Sequence, residues 1–110
     1  KAAKSEARIA RYRLDEAKEK IELQVNQSAF KVDEAAKKLA MAEKNLEKAN
    51  ENLRYANLGF EEGVIPASNV LEAHTAWLSA QSDKIDAQID VKLTEVYLKK
   101  AMGQLAVSHP

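Results

Sequence analysis

Asn57-Leu58-Gly59-Phe60-Glu61-Glu62-Gly63-Val64-Ile65-Pro66-Ala67-Ser68 holds two of the three glycines and one of the two prolines in a chain of 110 residues. Everything on either side is rich in Ala, Glu, Lys and Leu, residues that favour helix, so the stretch marks a single interruption between two long helices. Gly63 supplies the positive-φ position that commonly ends a helix, and Gly59 is where the first helix is expected to begin to fray. Pro66 restarts the helix, since its missing N–H has no helical partner in a first turn, and it biases Ile65 toward an extended backbone.

Working outward, apolar or small residues recur at alternating steps of four and three before the break. They run Leu14, Ile21, Val25, Ser28, Val32, Ala35, Leu39, Ala42, Leu46, Ala49, Leu53, Ala56 and Phe60, with one lapse at Lys18. After the break Val70, Ala73, Trp77, Ala80, Lys84, Ala87, Val91, Thr94, Leu98, Ala101 and Leu105 form a second seam, Lys84 being its one charged member. In both seams large and small residues alternate. Folding the chain about Gly63 sets Leu53 against Ala73, Ala49 against Trp77, Leu46 against Ala80 and Leu39 against Ala87, a size complementarity that fills a helix interface. The sequence therefore predicts an all-α fold, a long antiparallel helical hairpin of coiled-coil type, with helices over about 1–59 and 66–104 and residues 1–110 forming one unit.

The first arm is the longer. Residues 1 to about 20 project beyond the paired region, and Ile9, Tyr12 and Leu14 need another partner. The second helix also carries an extra stripe, Leu71, His74, Leu78, Gln81, Ile85, Ile89 and Val96, to one side of its seam. One neighbour cannot cover both faces, so lateral association with further helices is expected. Lys-Glu spacings such as Glu34-Lys37-Lys38 mark the solvated surface. The uncapped opening at Lys1 suggests a piece of a longer protein.

Composition excludes several classes of function. Lys and Arg number 17 and balance 17 Asp and Glu, which leaves no net field to attract nucleic acid. There is no cysteine, hence no disulfide framework or thiolate zinc site. No apolar run reaches the ~20 residues of a membrane-spanning helix, and Lys1-Ala-Ala-Lys4 lacks the apolar stretch of a signal peptide. The two histidines, His74 and His109, are far apart, and Glu72 and His74 cannot share a helix face, so no metal site is expected. His74 reads as a helix contact and Trp77 as core. A two-helix rod has no pocket in which to shift pKa values, so no catalytic residue, no cofactor and no enzyme activity are expected.

The order of residues around the turn carries a resemblance. Arg54-Tyr55, Gly63 after an acidic pair, Ser68-Asn-Val-Leu-Glu-Ala73 and Leu98-Lys-Lys-Ala-Met-Gly103-Gln-Leu105 together resemble the outer-membrane efflux protein family, the TolC-like channels. The resemblance covers nearly the whole chain and implies a fragment of a larger outer-membrane channel protein, its periplasmic part. It implies a homotrimer in which each chain gives two hairpin-bearing repeats to a barrel across the periplasm, meeting a periplasmic adaptor and an inner-membrane pump. Gly63, Val64, Ile65 and Pro66 would form the adaptor-docking tip. Val64 and Ile65 are unusual at a solvent-facing loop, although they could instead cap the hairpin core.

Asn69 and Glu72 fall where family members often place acidic side chains around the tunnel aperture. A ring of Glu72 carboxylates would attract cations there, weakened by the amide at Asn69; the alternative is that Glu72 answers the helix dipole. Phe60 and Ile65 stand where some members hold a Tyr and an Arg of a closing latch, and neither can form that polar contact. The two seams are equally compatible with a structural coiled-coil spacer or adaptor hairpin without a channel, and with self-association of the chain into a helical bundle.

Overall fold

The computed structural model describes residues 2–108, and His109 lies outside them. The chain forms two helices, α1 over Ala2–Glu61 and α2 over Ala67–Ser108, joined by a turn of residues 62–66. Among the described residues there is no strand. The all-α hairpin expected from the seams is the fold observed. Both helices outrun their predicted ends, for two separate reasons. Gly59 does not fray α1, and Gly103 has no positive φ and sits within α2, which continues to Ser108. A glycine ends a helix only when the backbone takes the left-handed conformation, and Gly63 alone does so, at φ 74°.

The turn is a Schellman cap. Val64 N–H donates to the Gly59 carbonyl at 2.8 Å and Gly63 N–H to the Phe60 carbonyl at 3.0 Å, which satisfies two carbonyls that the end of α1 would leave open. Pro66 stands immediately before α2, and its carbonyl accepts the Asn69 N–H at 3.1 Å. The proline thus ends the turn without costing α2 a hydrogen bond.

Contacts divide the chain into two units, Glu34–Lys92 and the pair Lys1–Asp33 with Leu93–Pro110. In the first, Ala35, Leu39, Ala42, Leu46, Ala49, Leu53 and Ala56 on α1 and Val70, Ala73, Trp77, Ala80, Lys84, Ala87 and Val91 on α2 are all buried or half-buried. The Trp77 Nε1–H donates to Asn50 Oδ1, next to Ala49, which is the residue the register about Gly63 sets opposite the indole. In the other unit the sequestered residues are Lys18, Ile21, Val25, Ser28 and Val32 with Thr94, Leu98, Ala101 and Leu105. Every residue from Ala2 to Ala17 is exposed, in keeping with an unpaired start to the long arm.

Two residues of the heptad pattern lie outside the buried seam, Leu14 as expected and Phe60 against expectation. Leu14 is exposed because it belongs to that unpaired start, and Phe60 is exposed because the half-buried position beside the turn falls to Gly59. Among the described residues the buried set consists of Ala35, Ala42, Leu46, Ala49, Ala56 and Ala101, so five of the six are alanines. Small residues let the helices approach closely, but they bury little area each, and the interface is correspondingly thin.

Candidate functional site

The tip combines a fixed backbone with one free apolar side chain. Ile65 turns inward: a Cβ built on Gly59 would lie 3.0 Å from its Cγ1 and 3.2 Å from its Cδ1. Gly59 is therefore the seat on which Ile65 rests, and this contact half-buries Ile65. Val64 points the other way and is 74% exposed. The two apolar residues that the sequence pairs as one unusual feature thus separate, Ile65 covering the end of the hairpin and Val64 facing out. Gly63 and Pro66 are exposed beside it. At Gly63 the space around a Cβ is open, and only the left-handed φ selects glycine.

Asn69 and Glu72 are both exposed, three residues apart, and so share one face of α2. The first turn of α2 contains no acidic residue, and Glu72 lies in the second, where the influence of the helix dipole has faded. The dipole therefore gives little reason for an acid at this position. On α1 nearby, Arg54 donates to Glu51 at 3.0 Å and sits 5.0 Å over the Tyr55 ring. The Glu51 hydrogen bond and charge raise the guanidinium pKa above its ordinary value.

The second stripe is uncovered except at Gln81, which is half-buried. Leu71, Leu78, Ile85 and Ile89 in unit Glu34–Lys92, and Val96 in the other, are between 50% and 69% exposed. His74 belongs to the same stripe, and its ring meets the Trp77 ring edge to face at 5.9 Å, within one helix. Such an aromatic pair orients the indole from outside the seam while Asn50 orients it from across the seam.

Two surface features escaped the sequence reading. Leu23 and Phe30 on α1 are exposed, and their seven-residue spacing off the seam was the available signal. A shallow groove is lined by Lys38, Met41 and Asn45 facing Asp83, Asp86 and Asp90. The acids recur at three- and four-residue steps, which places them on one edge of α2. Among the described residues no three His, Cys, Asp or Glu side chains are placed to share a metal ion, and no helix is long and apolar enough to cross a membrane. Among the described residues the arrangement offers exposed surfaces for contact.

Comparison with known families matches residues 1–104 to the family model described as outer membrane efflux protein. No curated protein and no solved structure matches the chain significantly.

Proposed function

Since the chain belongs to the outer membrane efflux protein family, we propose that it is a tunnel-wall hairpin in the periplasmic part of a trimeric efflux channel. The observation that carries the reading is the uncovered stripe. A helix that buries a seam against one neighbour and leaves Leu71, Leu78, Ile85, Ile89 and Val96 bare on another face is built for a second neighbour. In a closed ring of hairpins each stripe meets the next hairpin, and closure leaves none of them bare. A spacer hairpin without a channel needs only the seam.

The tip in this reading docks a periplasmic adaptor, through which the channel joins an inner-membrane pump. Val64 is the apolar contact, held out by the cap at Gly63 and the anchoring of Ile65 on Gly59. Asn69 and Glu72 border the aperture, where repeated Glu72 carboxylates favour cations over anions. With Phe60 and Ile65 apolar, and Ile65 already engaged by Gly59, the closed state uses contacts other than a Tyr-Arg latch at these positions.

The test uses the full-length parent in a strain that depends on it for drug resistance. Val64→Asp is expected to abolish adaptor-dependent resistance at normal protein level, because a carboxylate on an apolar contact must be desolvated on docking. Resistance equal to that of the unsubstituted parent would rule out docking through Val64.

A further inference from the structure

We propose that the turn, and not the seam, sets the register of the two arms, and that the seam holds a second register one heptad away, into which the arms slide when the turn is released. The observations behind it lie in unit Glu34–Lys92, and it stands or falls independently of the transport reading.

The seam cannot select its own register. On α1 Leu39, Leu46 and Leu53 alternate with Ala42, Ala49 and Ala56; on α2 Ala73, Ala80 and Ala87 alternate with Val70, Trp77, Lys84 and Val91. Each repeats every seven residues, so a slide of one heptad returns large residues to small ones. Trp77 passes from Ala49 to Ala56, Lys84 from Ala42 to Ala49, Ala80 from Leu46 to Leu53 and Ala87 from Leu39 to Leu46. The polar contact survives as well. Trp77 Nε1–H donates to Asn50, and the residue seven positions further along α1 is Asn57, with the same carboxamide. Packing and hydrogen bonding are thus nearly matched in the two registers.

The turn breaks the tie, with different residues guarding the two directions. Sliding Trp77 the other way, toward Ala42, would require α2 to begin before Pro66. The proline ring blocks this, because it lacks an N–H and forces Ile65 out of the helical region. Sliding toward Ala56 requires α1 to continue through Gly63, which glycine permits. That direction is held by the Val64, Ile65 and Gly63 N–H bonds to Gly59 and Phe60, by the first turn of α2 with its Asn69 N–H bond to Pro66, and by the seating of Ile65 on Gly59. The tip is therefore a clamp with one fixed stop and one that can open.

The chain has no cysteine, which makes disulfide trapping direct. One variant carries Ala42→Cys with Lys84→Cys, the pair opposed in the observed register. Another carries Ala49→Cys with Lys84→Cys, which are about 10 Å apart along the axis in that register and opposed after the slide. Both are oxidised in dilute solution and scored for the intramolecular disulfide. With the native turn the first pair closes and the second stays reduced. Adding Gly63→Ala, which disfavours the left-handed φ, raises closure of the second pair by roughly five- to thirty-fold. Ile65→Ala shifts it the same way by less, and Gly103→Ala, a helical glycine in open space, leaves it unchanged. The proposal is overturned if Gly63→Ala closes the second pair no more than Gly103→Ala does. It is equally overturned if both pairs cease to close and helicity falls, since the arms then separate instead of sliding.

Discussion

Ile65 rests on Gly59, so close that a single added methyl on the glycine would lie 3.0 Å from Ile65 Cγ1. The contact joins the last turn of α1 to the residue before Pro66 and explains a glycine in the interior of a helix, where it costs about 1 kcal/mol relative to alanine.

Gly59→Ala and Gly103→Ala are accordingly expected to diverge. At Gly103 nothing lies within 4 Å of the new methyl, and the substitution stabilises by about 0.5–1 kcal/mol. At Gly59 the same helical gain is offset by displacement of Ile65, leaving no gain or a loss, and adding Ile65→Ala to Gly59→Ala restores the helical gain of the glycine replacement when judged against Ile65→Ala alone. Urea unfolding measures all four. Equal stabilisation at both glycines would mean that Ile65 does not sit on Gly59.

The alanine-lined interface leads to a second expectation. Ala49, 7% exposed and set opposite Trp77, has no room for a larger side chain, so Ala49→Leu is expected to destabilise by about 1–3 kcal/mol. Leu46→Ala should cost about 2 kcal/mol by opening a void against Ala80. A neutral Ala49→Leu would show that the helices are not closely apposed there.

The Trp77–Asn50 hydrogen bond crosses the seam between residues 27 apart in sequence. Asn50→Ala should destabilise by about 1 kcal/mol, and in a double-mutant cycle with Trp77→Phe most of that loss should disappear. Strict additivity of the two substitutions would remove the bond from the account.

With its stripe uncovered, the isolated chain is expected to self-associate into a helical bundle. Sedimentation at rising concentration should report the association, and Leu78→Glu with Ile85→Glu should leave a helical monomer. A wild-type chain that stays monomeric throughout would mean that the stripe does not drive association by itself.

The seam residues were legible because a helix pair buries one stripe per helix, and burial of that stripe writes a heptad repeat into the sequence. Lys18 and Lys84 illustrate the limit: both are charged, and both are half-buried, because the repeat fixes position while a long side chain can carry its ammonium to the surface. The tip was legible only in part. Gly63 and Pro66 carry local backbone rules that a sequence states directly, whereas the separation of Val64 from Ile65 depends on Gly59, four residues before Gly63, having no side chain. That is a tertiary contact, and no periodicity encodes it. Asp83, Asp86 and Asp90 drew no reading from the sequence because their facing residues, Lys38 and Asn45, come into view only once the arms are paired.

The central claim, that the stripe on α2 is a wall contact in an assembled channel, is tested most directly by the reactivity of a cysteine at Ile85→Cys. The measurement is labelling by a membrane-impermeant maleimide in the isolated chain and in the full-length parent in its outer membrane, each relative to the unsubstituted protein. Rapid labelling is expected in the isolated chain, where Ile85 is 50% exposed, and protection in the parent. Equal, rapid labelling in both would contradict it.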